Sequence, residues 1–356
     1  VAQCVLPLER EPFEGTGLKI TVGGLAGGHS GIEIGEGRGN SNLLMGRVLC
    51  AAAQKVELRL VDVNGGLKDN AIPRETVATV VTAEPEALKA LCEEMDGILK
   101  NEYRIADPDV FVTVSETEAE VPMDEETTRK ICCFLSVVPN GVQTMSAEIP
   151  GLVQTSLNLG VLKTSETELY SASCVRSSVE SQKQMLVDRL TCLTEQLGGT
   201  VEIFGDYAGW QYQQESPLRD LLTEIFVEQY GYEPKIEAIH AGVECGIFAG
   251  KLPGLDCVSL GPDLTEIHTC REKMHIASVQ RLWKLVLETL VKLNREQGMT
   301  VVIVSSELQE LRSISDRIAI VSEGELVEIL SPDASDADYG LAMSGIKPSE
   351  HKKKEG

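Results

Sequence analysis

Residues 24–40 read GLAGGHSGIEIGEGRGN and place seven glycines around a single histidine, His29. They follow residues 18–22 (LKITV), whose alternation of apolar and polar side chains predicts a β-strand. Glycine tolerates positive φ angles and lets a backbone approach other groups closely, so the stretch predicts a sharply bent loop that carries His29 to a site. A glycine-rich turn with an incidental histidine and a phosphate-binding loop are the alternatives.

The pattern around this loop predicts an α+β domain. The segment from 18 to 116 alternates between strand and helix patterns in the order β-α-β-β-α-β, and a second, looser copy follows up to residue 204. Strands are predicted at 18–24, 57–63, 76–82, 109–116, 152–162, 166–174 and 200–204, and helices at 40–54, 84–103, 124–135 and 178–197. No sequence identity supports a true repeat, but the order predicts one large antiparallel sheet covered by helices on one face.

The second half of the chain has a different texture. From residue 206 the pattern is that of the closing half of an α/β domain, without its opening half. Helices are predicted at 217–230 and 277–293, and strands near 234–240, at 256–260 and at 301–304 (VVIV). The charged residues at the C-terminus, HKKKEG, predict a disordered tail.

Composition narrows the classes of function. The net charge of −23, from 55 acidic and 32 basic residues, argues against nucleic acid and against an anionic membrane surface as partners. No apolar run reaches the ~18–20 residues of a membrane span, and the N-terminus lacks the blocks of a signal peptide. Ten cysteines without a Cys-x-x-Cys pair favour thiols in a reducing compartment. We therefore expect a cytoplasmic protein.

Two histidines are the first candidates for chemistry. His29 and His268 each lie in a polar loop after a predicted strand. A neutral imidazole in such a loop can bind zinc, and a nearby carboxylate can orient its other nitrogen. A purely structural role for each histidine is the alternative, and composition alone does not decide between them.

Five motifs follow one another along residues 1–293. They are GGHSG with GRGN, DNAIPRE at 69–75, CVRSS at 174–178, HAGVECG at 240–246, and GPD at 261–263 with His268. Together they resemble the aminoacyl-histidine dipeptidases, zinc peptidases that cleave Xaa-His substrates such as carnosine. The resemblance implies a lid domain through which two copies form a homodimer, and a catalytic α/β domain that holds two zinc ions.

The same resemblance implies roles for five residues. His29 is then a lid histidine that reaches an active site, often in the partner subunit, and stabilises the negative charge that develops on the scissile carbonyl. Asn70 and Arg176 hold the backbone of the dipeptide substrate and its C-terminal carboxylate, for which the guanidinium fork is suited. Gly242 contributes a backbone contact to the substrate, and His268 is a zinc ligand.

The sequence also departs from the family pattern. Family members carry a His-x-Asp metal motif, a bridging Asp, a Glu-Glu pair with the general base and a further Asp ahead of the lid, and none of these lies in residues 1–17. The pairs at 93–94 and 125–126 lie in predicted helices and predict solvated faces, and Cys270 stands where the family usually has Pro. Because the chain also begins with Val1, we expect an N-terminally truncated chain that does not hold zinc tightly.

A second resemblance covers residues 295–345. The stretches REQGMT, VSSEL and DRIAIVSEG are similar to the C-terminal end of a sugar-importer ATP-binding-cassette subunit. No Gly-x-x-x-x-Gly-Lys-Ser/Thr loop occurs, so the cradle for nucleotide phosphates is absent. The expected domains are a residual catalytic-domain linker at 1–11, a lid and dimerisation domain at 12–205, the C-terminal part of the zinc-peptidase catalytic domain at 206–293, an ATPase fragment at 294–345 and a tail at 346–356.

The functional expectation is therefore a metal-dependent dipeptidase, present as a truncated and chimeric chain. The alternative is a catalytically inactive dimerisation or peptide-binding remnant fused to a transporter ATPase fragment. The expected partners are a dipeptide and a second copy of the chain.

Overall fold

The computed structural model of the protein describes residues 1–238, 244–265 and 272–349. The chain forms two compact units. The first comprises Val1–Glu215 and Ile236–Cys257, and the second comprises Ser216–Lys235 and Val258–Gly356. The predicted site residues that the structure describes, His29, Asn70 and Arg176, belong to the first unit.

A large antiparallel sheet organises the first unit. Its strands are β1 (Ala2–Pro7), β2 (Thr16–Gly23), β3 (Gly28–His29), β4 (Leu58–Gly65), β5 (Ala71–Ile72), β6 (Thr76–Thr82), β7 (Phe111–Thr117), β8 (Gly141–Met145), β9 (Val153–Thr164), β10 (Glu168–Ser177) and β11 (Thr200–Ile203). Nine of them form one sheet in the order β11-β1-β10-β9-β4-β6-β2-β7, with β8 also paired to β9. The two-residue strands β3 and β5 pair with each other. The predicted antiparallel sheet with helices is confirmed.

The bounds of the helices follow from the residues at their ends, and their packing follows from their apolar faces. In the described residues they are α1 (Ser41–Ala53), α2 (Pro85–Glu102), α3 (Glu125–Val137), α4 (Glu180–Gln196), α5 (Pro217–Tyr230), α6 (Glu244–Lys251), α7 (Ile276–Val291), α8 (Leu308–Ile314) and α9 (Asp336–Met343). In α2, Pro85 occupies the first turn, and the buried side chains recur every three or four residues from Leu88 to Leu99. Helices α1 to α4 bury such faces in one core with the sheet. No helix in the described ranges is both long and apolar enough to span a membrane.

Strand β1 differs from the expectation of a linker at residues 1–11. It lies between β10 and β11 and pairs with both in antiparallel register. Its side chains alternate, so that Ala2, Cys4 and Leu6 are at most 3% exposed in the core. A period of two is the pattern of a half-buried strand, and this short stretch contains it. The N-terminal residues are therefore part of the sheet.

The second unit contains helix pairs and a hairpin. Leu222 and Ile225 of α5 pack against Leu285 of α7. Further along, β14 (Ile318–Ser322) pairs with β15 (Glu325–Leu330), and α9 packs on this hairpin through Tyr339. The two-residue strands β12 (Leu264–Thr265) and β13 (Lys273–Met274) form a separate pair.

The strands predicted in the second half are absent from the residues that the structure describes. Residues 234–238, 256–260 and 301–304 are irregular, and residues 239–240 of the first prediction lie outside the described ranges. Val302 and Val304 are 84% and 95% exposed. A strand needs a neighbour for its backbone N–H and C=O groups, and no described strand pairs with these apolar segments. The described residues of 206–293 therefore contain the predicted helices but not the two predicted strands.

Candidate substrate-binding site

His29 and Asn70 come together through a two-residue ladder. His29 in β3 lies opposite Ala71 in β5, in antiparallel register. The backbone N–H of Ser30 donates a hydrogen bond to the carbonyl oxygen of Asn70 at 2.9 Å. The glycine loop and the segment around Asn70 therefore lie side by side, although they are far apart in the sequence.

The imidazole of His29 is oriented by the turn that follows it. The backbone N–H of Gly31 donates to Nδ1 of His29 at 3.2 Å. An Nδ1 atom that accepts a hydrogen bond favours the neutral tautomer with its proton on Nε2. An N–H donor of this kind is what a developing oxyanion requires.

Glu33 ties the backbone of His29 to the rest of the loop. Its Oε2 accepts the backbone N–H of His29 at 2.7 Å, and its Oε1 forms an ion pair with Nη1 of Arg38 at 2.8 Å. Arg38 in turn donates to the carbonyl oxygen of Gly27 at 2.5 Å. The hydrogen bond from His29, followed by the interaction with Arg38, holds the pKa of Glu33 below its ordinary value despite partial burial. Glu33 therefore stays ionised at neutral pH.

Arg176 is a buried cation in β10. The residue is 9% exposed, and its Nε atom is buried without a hydrogen-bond partner. Among the residues that the structure describes, no carboxylate forms an ion pair with it. Removing part of a charged group from water is unfavourable, and an anionic ligand would compensate for it. The planar guanidinium fits the two oxygens of a carboxylate.

Gly31 separates His29 from Arg176. A Cβ atom at this position would lie 2.9 Å from Cε1 of His29 and 3.3 Å from Cζ of Arg176. A side chain there would therefore displace the imidazole or the guanidinium. Because residue 31 is glycine, the two functional groups approach the same small space, and Asn70 adjoins it through Ser30.

The other two predicted site residues, Gly242 and His268, lie outside the described residues. In the parts of the chain that the structure describes, no group of three or more His, Cys, Asp or Glu side chains could hold a metal ion. The described residues therefore do not by themselves form a metal centre.

Asn158 supports the segment around Asn70 and was not identified from the sequence. Its side chain in β9 is fully buried, and Nδ2 donates to the carbonyl oxygens of Asp69 and Ala71 at 2.8 Å each. The neighbouring Gly160 is the bulge in β9, where a Cβ atom would lie 2.5 Å from Cα of Asp69. An isolated glycine within a strand pattern is a signal for such a close approach.

A buried amide network connects this support to the glycine loop. Asn40, which ends the loop, caps α1 by accepting the backbone N–H groups of Asn42 and Leu43. Its Nδ2 donates to Oδ1 of Asn158 at 3.2 Å and to Oδ1 of Asn140 at 3.2 Å. The loop that carries His29 and the segment that carries Asn70 are therefore fixed by one set of hydrogen bonds.

Comparisons with known proteins show what the chain is similar to. Residues 20–107 match the peptidase dimerisation domain family. The chain is 37% identical over 290 residues, 80% of its length, to the cytosol non-specific dipeptidase of Escherichia coli (strain K12). The crystal structure of aminoacylhistidine dipeptidase from Vibrio alginolyticus covers 85% of the chain with a TM-score of 0.77 and 32% identity.

The resemblance to aminoacyl-histidine dipeptidases is thus confirmed over four-fifths of the chain. The chain spans 60% of the Escherichia coli relative and 61% of the Vibrio alginolyticus relative. The resemblance to transporters has only weak or partial support. The methionine import ATP-binding protein MetN of Corynebacterium glutamicum is 46% identical over 43 residues, 12% of this chain and 12% of that protein.

Proposed function

We propose that this chain provides the substrate-binding and dimerisation parts of a metal-dependent dipeptidase that accepts Xaa-His dipeptides. The observation that carries the proposal is the buried guanidinium of Arg176, which has no carboxylate partner among the described residues and lies across Gly31 from His29. A dipeptidase must recognise a free C-terminal carboxylate close to the bond that it cleaves. The names of both dipeptidase relatives support a dipeptide as the substrate, and the name of the Vibrio alginolyticus relative supports histidine as its second residue.

The geometry supports a separate role in substrate binding for each residue. Arg176 binds the C-terminal carboxylate with paired charge-assisted hydrogen bonds, and Asn70 holds the backbone of the dipeptide. The Nε2–H group of His29 donates to the carbonyl oxygen as negative charge develops there, and Gly242 adds a backbone contact. In the proposed homodimer, His29 acts in the active site of the partner subunit.

Zinc is the proposed metal, and His268 is proposed as one of its ligands. A catalytic zinc site takes three protein ligands, and the described residues supply no such group. The described residues therefore do not fit a complete zinc site, and no catalytic step is assigned to the metal.

The proposed assembly is a homodimer formed through the domain at 20–107, and its proposed location is the cytoplasm. The family match of that domain and the word cytosol in the name of the Escherichia coli relative support these two points. Sedimentation velocity of the full chain at micromolar concentration tests the first, since a monomer at all concentrations would contradict it.

The decisive experiment compares carnosine with its C-terminal amide in titration calorimetry. Hydrogen bonds to charged groups contribute about 1.5–3 kcal/mol, so the wild-type chain should bind the acid about 10- to 100-fold more tightly than the amide. Arg176→Ala should abolish this preference, while the exposed Arg189→Ala should retain it. Equal binding of acid and amide by the wild-type chain would overturn the proposal. Hydrolysis of carnosine with added zinc then separates an active enzyme from a binding remnant.

A further inference from the structure

Asp107 holds both ends of the glycine loop. Its side chain is 1% exposed, and Oδ1 accepts the backbone N–H of Ala26 at 2.6 Å. Its Oδ2 accepts the backbone N–H of Gly39, also at 2.6 Å. The carboxylate therefore bridges two points of the loop that lie on either side of His29.

The position of Asp107 is itself fixed. Its backbone N–H donates to the carbonyl oxygen of Tyr103 at 2.8 Å, and its carbonyl oxygen accepts the N–H of Val110 at 3.1 Å. These bonds place it in the turn between α2 and β7. No Lys or Arg of the described residues forms an ion pair with it, so backbone N–H groups compensate its buried charge.

We call the two hydrogen bonds from Ala26 and Gly39 to Asp107 the clamp of the loop. The clamp matters because the loop is rich in glycine. Gly27 and Gly28 have φ angles of 68° and 141°, where other residues are strained, and glycine has the most conformational freedom in an unclamped chain. Joining the ends of a flexible loop removes much of that freedom. Charge-assisted hydrogen bonds at both ends therefore restrict the orientations available to His29.

We propose that Asp107 is a positioning residue that fixes the glycine loop and thereby aims the imidazole of His29 at the substrate carbonyl. The effect on catalysis rests on the function proposed above. The effect on the loop does not, because it follows from the two hydrogen bonds alone.

The first test measures the loop directly. Asp107→Asn keeps one acceptor oxygen but places an amide NH2 group against a backbone N–H, while Asp109→Asn makes the same charge change at an exposed neighbour. Loss of a hydrogen bond to a charged group should speed hydrogen exchange at Ala26 and Gly39 about 10- to 100-fold in Asp107→Asn alone. The ring ¹⁵N signals of His29 should also shift, while exchange in β9 stays unchanged.

Two results would overturn the proposal at this stage. One is exchange at Ala26 and Gly39 within twofold of wild type. The other is equal acceleration throughout the sheet, which indicates a general loss of stability rather than a local clamp. If Asp107→Asn does not fold, Asp107→Glu retains the charge and should give a smaller acceleration at the same two amides.

The second test uses carnosine hydrolysis. A misplaced donor should lower kcat by about 10- to 100-fold with little change in KM, and the preference for the acid over the amide should remain because Arg176 is untouched. Unchanged kcat together with a loosened loop would refute the positioning role. If the wild-type chain does not hydrolyse carnosine, its preference for the acid over the amide still tests the proposed function, and the exchange measurement alone decides whether Asp107 clamps the loop.

Discussion

Asn158→Ala should loosen the segment that carries Asn70 and lower the stability of the first unit. In the wild-type chain, Nδ2 of Asn158 donates to the carbonyl oxygens of Asp69 and Ala71, and Oδ1 accepts from Asn40. Truncation to alanine removes all three hydrogen bonds from a fully buried position. Asn40 keeps its hydrogen bonds to Asn140 and to the backbone of strand β9. The carbonyl oxygens of Asp69 and Ala71 are therefore the groups that lose a hydrogen-bond donor without a replacement.

The magnitude follows from these two carbonyl groups. A buried polar group left without its partner costs about 1–3 kcal/mol, which gives about 2–6 kcal/mol for two. Asp69 and Ala71 are themselves half-buried, so water reaches them in part and the expected loss falls to about 2–4 kcal/mol. Asn158→Asp should cost more, because a carboxylate oxygen would then face both carbonyl oxygens.

The assay is urea unfolding followed by circular dichroism, with hydrogen exchange of residues 66–72 measured in parallel. Asn101→Ala is the matched control, because this asparagine is exposed on α2 and its change should stay within about 0.5 kcal/mol. If Asn158→Ala loses no more stability than the control and exchange at 66–72 is unaltered, the supporting role of Asn158 is refuted.

Three further predictions concern a thiol, a carboxylate and the first strand. Burial raises the pKa of Cys132 to about 12, so at pH 8 a disulfide reagent should modify the exposed Cys133 and leave Cys132 unmodified until the chain is unfolded. Equal rates of modification of the two thiols in the folded chain would contradict this prediction. The pKa of Glu33 is lowered from its ordinary value of 4.5, so the ionised carboxylate stabilises the loop fully above pH 4.5 and loses this effect as the pH falls through the lowered pKa. Hydrogen exchange in the loop should therefore become faster at acidic pH, and Glu33→Gln should remove this dependence on pH. Leu6→Ala should cost about 2–5 kcal/mol in urea unfolding, and the 96% exposed Leu67→Ala less than about 0.5 kcal/mol; similar losses would argue against β1 as a core strand.

Local periodicity predicted the regular elements well. The strand at 76–82 and the helix at 217–230 have the same bounds in the structure, because their side-chain spacing is complete within each segment. Periodicity failed at 301–304, where an apolar run typical of a buried strand has no strand beside it. It also missed β3 and β5, because a two-residue ladder is set by its partner rather than by a repeating pattern.

The sequence likewise identified some residues of the candidate site and missed others. His29, Asn70 and Arg176 were identified because each lies in a short motif of a known peptidase family. Asp107 and Asn158 were not, because each acts on residues far away in the chain and carries no local pattern of its own. The burial of Arg176 and its closeness to the imidazole of His29 likewise depend on the folded arrangement of β10 and the glycine loop.

The place of β1 in the sheet has a consequence for biosynthesis. Ala2 pairs with Ser173 of β10 on one side and with Ile203 of β11 on the other. Strand β1 can therefore pair on both sides only after β10 and β11 have been translated. Contacts of such long sequence separation slow folding, and until they form, the backbone of residues 2–7 remains an unpaired edge. Nascent chains that stall before residue 200 should therefore expose a strand that associates readily with other chains, and such intermediates are natural clients for chaperones.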